Sequence, residues 1–148
     1  MSNAVQPIAT NGAPPGDRPG RLFFHSFASE RSPSGKCTAR IVLEFGGKQW
    51  NGRAEGQSSP IGDLRLGAEA AMHAVEDFAD GALGLELMGV KLIRAFDANV
   101  VIVSATQRSA RDVKLVGCYL ADEDAMRGAA LAVLNATNRV LGNYLTTR

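Results

Sequence analysis

Two cysteines, two histidines and one tryptophan are all that this chain of 148 residues offers of those types. Each scarcity excludes something. Cys37 and Cys118 lie far apart and neither sits in a CxxC or Cys/His spacing. A disulfide framework and a Cys/His metal site are therefore not expected, and reduced thiols are the simpler reading. An excess of one charge is also missing: 16 Lys and Arg stand against 15 Asp and Glu, interspersed, for a formal net charge of +1. That balance argues against nucleic acid and acidic lipid as partners. Long apolar runs are absent too, because Lys91, Arg94 and Asp97 interrupt the longest one before it reaches a membrane span. The first residues lack the charged-then-apolar order of a signal peptide, so a cytoplasmic protein is expected. What is present is an ordinary globular balance, 45% hydrophobic and 21% charged, enough for one domain and a tail.

The tail is residues 1–20. It holds four prolines and three glycines with few large apolar groups, and such a segment cannot bury enough surface to offset its ordering entropy. The domain, residues 21–148, begins with a strand over 21–30. A Ser-Pro-Ser-Gly turn at 32–35 follows. The clearest hairpin comes next: Ile41, Leu43 and Phe45 share one face of a strand over 38–45, Gly46-Gly47 turns, and 48–55 returns. After a polar loop at 56–60, a helix is predicted from Gly62 or Asp63 to Ala79. Leu64, Ala68, Ala71, Met72, Val75 and Phe78 form its apolar stripe, and Arg65, Glu69, His73, Glu76 and Asp77 its polar side. Asp63 suits the N-cap or first turn, and Gly81 and Gly84 suit the stop.

The second half repeats the plan. Strands are predicted over 85–96, 99–106 and 113–120, with a turn at 109–112. A helix then opens at the acidic run Asp122-Glu123-Asp124 and continues to about Leu141, with a stripe of Met126, Ala129, Ala130, Val133, Ala136, Thr137 and Val140. Placing Gly67 on Gly128 aligns the two helices. Gly52 then matches Gly117 if the first loop is four residues longer. The fold class expected is α+β, an internal duplication of a βββα unit whose antiparallel strands are covered by two helices.

Few residues suggest chemistry. His73 lies beside Glu69, Glu76 and Asp77, which a solvated helix face explains as well as a metal or acid–base role. Cys118 reads as a small buried residue rather than a nucleophile, and Cys37 has no partner. The run at 122–124 reads as helix capping rather than a cation site. Asn135 and Asn138 stand in a helix interior, where asparagine is poor, and point to hydrogen bonds with a neighbouring element or to ligand contact. The loop from Gly56 to Asp63 leads into a helix whose open N–H groups attract a carboxylate, and Ser58 and Ser59 add hydroxyls. Either a plain surface loop or a binding loop fits it. No catalytic residue, metal site or cofactor is expected.

The order βββα–βββα, with a polar loop before each helix, resembles the C-terminal regulatory domain of 2-isopropylmalate synthase and the related homocitrate and citramalate synthases. The resemblance rests on Ala39-Arg40-Ile41-Val42-Leu43 with Gly46-Gly47-Lys48, and on Gly52-Arg53-Ala54-Glu55-Gly56 leading into the first helix. It continues in Phe96-Asp97-Ala98, Val116-Gly117, the acidic helix start, and Ala132-Val133-Leu134-Asn135-Ala136-Thr137-Asn138-Arg139. It spans about residues 21–142. Two departures stand out. The family's short Gly-Pro-Val-Asp-Ala turn is replaced by a longer, serine-rich stretch from Gly56 to Leu64, and the catalytic barrel with its His-x-His motif has no counterpart.

The resemblance implies an allosteric, leucine-binding and dimerising module of leucine biosynthesis that does not itself perform the condensation. The effector of that family lies between the two βββα units. Carried over, its contacts fall on Gly56, Ser58, Ser59 and Pro60 in the first half and on Asp97, Ala98, Asp122 and Asp124 in the second. A homodimer is expected, with an amino acid or related carboxylate as ligand and a separate protein as partner. The alternatives are a structural homo-oligomeric assembly protein without a small ligand, and a small enzyme on a divergent α+β scaffold.

Overall fold

The computed structural model describes residues 22–109, 111–121 and 123–147. The segment read as a tail, 1–20, and the candidate Asp122 lie outside the described residues. Eight elements follow in order: β1 (Phe23–Arg31), β2 (Lys36–Phe45), β3 (Lys48–Gln57), α1 (Pro60–Phe78), β4 (Leu85–Ala95), β5 (Ala98–Gln107), β6 (Val113–Leu120) and α2 (Ala125–Thr147). The fold is α+β and runs twice through the βββα order. The strands form two separate antiparallel sheets, β1-β2-β3 and β4-β5-β6.

Each sheet buries one face beneath its own helix. α1 packs on β2 and β3, α2 packs on β5 and β6, and the two helices pack on each other. α1 also reaches β4, and α2 reaches β1, so the first strand of each half touches the helix of the other. Period-two alternation explains the inner faces: Cys37, Ala39, Ile41 and Leu43 of β2 are fully buried, as are Val101 and Val103 of β5. Every residue of both predicted helical stripes is buried, Thr137 included. Thr137 satisfies its hydroxyl by donating to the carbonyl of Val133 at 2.9 Å.

Alanine and glycine let the layers close. A Cβ on Gly52 of β3 would stand 1.9 Å from the carbonyl oxygen of Ala70, and one on Gly117 of β6 would stand 2.2 Å from that of Ala132. In both cases the next atoms met belong to the alanine four residues on, Ala74 or Ala136. These contacts correct the helix alignment. Ala70 corresponds to Ala132, so Gly67 corresponds to Ala129 rather than to Gly128, and the offset between returning strand and helix is three residues rather than four. Gly67 instead lies against the Met126 carbonyl of α2 at the helix crossing.

Helix ends depart from expectation for local reasons. α1 starts earlier because Ser59 caps it and Pro60 takes the first helical position, where its missing N–H costs nothing. It ends in a Schellman turn: Gly81 N–H donates to the Glu76 carbonyl and Asp80 N–H to that of Asp77. Asp80 (φ 54°), not glycine, holds the left-handed position. α2 runs past Gly142 to Thr147 because Tyr144 still has something to pack on. Its ring lies 6.2 Å from that of Phe78, which in turn meets Phe45 and Trp50. No helix among the described residues is long and apolar enough to cross a membrane.

Candidate functional site

The two helix starts converge. Pro60, Ile61, Asp63 and Leu64 of α1 and Glu123 to Met126 at the start of α2 border one cleft of about 700 Å³, completed by Ser29 and Arg31 of β1 and Val90, Lys91 and Leu92 of β4. The two halves thus contribute the same pair of parts, a first strand and a helix N-terminus. Both positive helix ends face the same space, which favours an anion there.

The first half of this site is a closed hydrogen-bond network. The Ser59 hydroxyl accepts from Gly62 N–H at 3.0 Å, and Asp63 reaches back to accept from Ser59 N–H at 3.2 Å. The Asp63 carboxylate also accepts from the Ser58 hydroxyl at 3.0 Å and from the Arg31 guanidinium at 2.5 Å. Arg31 donates from Nε to Ser58 as well. Burial works to raise the Asp63 carboxyl, but the hydrogen bonds from Arg31, Ser58 and Ser59 outweigh it and hold the group below its ordinary value. Arg31 is raised in turn, chiefly by its hydrogen bond to Asp63 and also by the charge of Asp124. Cys37, behind this network, has its thiol pushed up by burial and then by Asp63.

The second half is simpler. Asp124 caps α2, its Oδ1 accepting from the N–H groups of Met126 and Arg127 at 3.1 Å. That is the capping role expected of the acidic run. Lys91, exposed on β4, has no ion-pair partner among the described residues. The cleft therefore sets a cation and two helix N-termini near the carboxylates of Glu123 and Asp124, with Leu64, Leu92 and Met126 as apolar wall.

A second, larger cleft of about 1020 Å³ shares Glu123 and Asp124 but otherwise lies along β6, Val100 of β5 and the start of α2. It draws on one half alone and lacks the α1 N-terminus and the Arg31 and Lys91 cations.

Of the residues carried over from the resemblance, Pro60 and Asp124 line the shared cleft. Ser58 and Ser59 stand behind it, bound into the network that holds Asp63 and Arg31. Gly56 pairs with Cys37 at the end of β3. Asp97 and Ala98 form the β4–β5 hairpin turn and its first rung and line neither cleft. Missed in sequence were Arg31 and Lys91, which lie on edge strands and meet the helix starts only through the chain's duplication. Cys118, expected to be a small buried residue, is exposed, while Cys37 is buried. With Gly117 pressed inward on α2, alternation turns Cys118 outward. Asn135 anchors a neighbouring element, accepting from Cys118 N–H at 3.1 Å. Asn138 is exposed. His73 is more than a solvated side chain, for its Nδ1 lies 2.7 Å from the Arg53 carbonyl and ties α1 to β3.

No family model matches the chain, and no match was found among curated proteins.

Proposed function

We propose that this chain is a non-catalytic module that binds a small amino acid or related carboxylate in the cleft between its two βββα units, and that it works as a homodimer acting on a separate protein. The observation that carries the reading is the convergence of both helix N-termini with Lys91 on one cleft of about 700 Å³. Helix dipoles and a cation attract a carboxylate, while Glu123 and Asp124 suit an ammonium group. The resemblance to the synthase regulatory domain points to the same place. Thermal melting with branched-chain amino acids and 2-oxo acids tests it. Ligand at about a hundred times its Kd adds about 2.7 kcal/mol to the folded state, which raises Tm by several degrees. No shift with any of these acids overturns the reading.

A structural assembly protein that binds nothing small is the second reading. It draws on the way Arg31, Ser58, Ser59 and Asp63 satisfy one another, leaving that loop complete without a ligand. On this reading every acid in the melting screen is silent while the oligomer persists.

A further inference from the structure

The far end of α1 gathers aromatic rings. Phe78, the last residue of the helix, is buried, and three half-buried rings stand steeply to it. Trp50 lies at 4.9 Å and 90°, Phe45 at 5.3 Å and 63°, and Tyr144 at 6.2 Å and 66°. All four border a cleft of about 360 Å³, and Asp77 and Asp80 border it with them. α1 has 19 residues, so its length of about 28 Å separates this cleft from the one at the helix starts.

The charges here run against the needs of the helix. A helix C-terminus carries partial negative charge and is stabilised by Lys or Arg. α1 has no basic residue in its last turn; it places Asp77 there and Asp80 just beyond. Neither carboxylate has an ion pair among the described residues, and Lys48, which also borders the cleft, pairs with neither. Asp80 moreover holds φ 54°, a conformation that glycine adopts more easily. Two carboxylates thus stand beside four rings at a cost to both dipole and backbone.

The other half shows that the fold does not require this. With Gly52 on Gly117 and Ala70 on Ala132, Trp50 falls on Leu115, Asp77 on Arg139 and Phe78 on Val140. Aliphatic side chains and a cation stand there where the first half has rings and an acid.

We infer that this cleft binds an organic cation through a methylated ammonium head. Ring faces attract a diffuse positive charge, and the methyl groups take up apolar contact. A hard metal ion needs six or more oxygen ligands, which two carboxylates among rings do not supply. The volume stands at the small end of the roughly 300–1,000 Å³ usual for ligand sites, which suits a head of a few atoms. This site is independent of the acid cleft and of any dimer.

Trp50 is the only tryptophan, so its emission reads the cleft directly. The experiment titrates the whole chain at constant ionic strength with choline, and with 3,3-dimethylbutan-1-ol, which has the same shape without the charge. Choline is expected to shift the emission saturably with a Kd on the order of 1 mM, in keeping with its few atoms. The neutral alcohol is expected to bind about tenfold more weakly. Asp80→Gly stays folded, glycine being easier at this φ, and is expected to bind choline about fivefold more weakly. Lys48→Gln removes a like charge and is expected to bind it about twofold more tightly.

A peptide carrying trimethyllysine presents the same head. Tighter binding of the peptide than of choline assigns the head to a protein tail, and the reverse to a free small molecule; each supports the site. No saturable shift with choline, or equal affinity for choline and the alcohol, overturns it. So does a choline affinity that neither variant changes. Should Asp80→Gly fail to fold, Lys48→Gln and the contrast between choline and the alcohol decide.

Discussion

Gly117 stands against the carbonyl of Ala132 as Gly52 stands against that of Ala70, two copies of one close approach between a returning strand and the helix above it. The match extends to the next alanine of each helix, Ala136 and Ala74. Helix and strand backbones meet there with no room for a Cβ.

Adding one is the direct check on this packing. Gly52→Ala and Gly117→Ala are each expected to destabilise the fold by about 2–3 kcal/mol through overpacking, measured by denaturant unfolding followed through Trp50. Gly89→Ala, where an added Cβ meets nothing within 4 Å, is expected to change stability by less than about 0.5 kcal/mol. Equal costs at all three positions would contradict the close approach.

The order of elements was legible because it is written in local signals. Gly46-Gly47, the alternation of Ile41, Leu43 and Phe45, and two stripes at helical spacing each need only neighbours in sequence. The register between the halves was not legible, since Gly67 and Gly128 look equivalent until the strand contacts show that Gly67 serves a helix crossing. The cleft was half legible. Pro60 and Asp124 belong to helix starts that announce themselves by composition, whereas Arg31 and Lys91 lie on strands whose approach to those starts depends on how the two halves dock. Asp97 does not reach the cleft, because a two-residue turn holds it at the hairpin tip.

Acid should act through Asp63. Its carboxyl is held below the ordinary value of about 3.9, so its contribution is complete above that value and is lost as pH falls through the folded-state value. Asp63→Asn is expected to cost about 1 kcal/mol at pH 7, the Arg31 partner being half-exposed. It should also flatten the loss of stability between roughly pH 5 and pH 2. Urea midpoints across that range check it, and parallel curves for the two proteins would count against the network.

Lys91→Gln is expected to abolish most of the melting shift given by a bound carboxylate, leaving the unliganded Tm within about 2 °C of wild type because the side chain is exposed. Asp97→Ala, remote from the cleft, is expected to keep the shift. The reverse pattern would move the site to the hairpin.

Phe96→Gly tests the β4–β5 turn. Relieving the left-handed φ at Phe96 is expected to stabilise the fold by about 1 kcal/mol, because the exposed ring gives up no buried contact. Urea unfolding of the variant beside the wild type reads the gain. A lower stability than the wild type would contradict it.

Native mass spectrometry of the purified chain, incubated with each branched-chain amino acid and 2-oxo acid, tests the central claim most directly. The account predicts a dimer carrying a small-acid adduct on each protomer, with the adduct absent from Lys91→Gln. A dimer that never retains such an adduct, under conditions that preserve weak complexes, would contradict it.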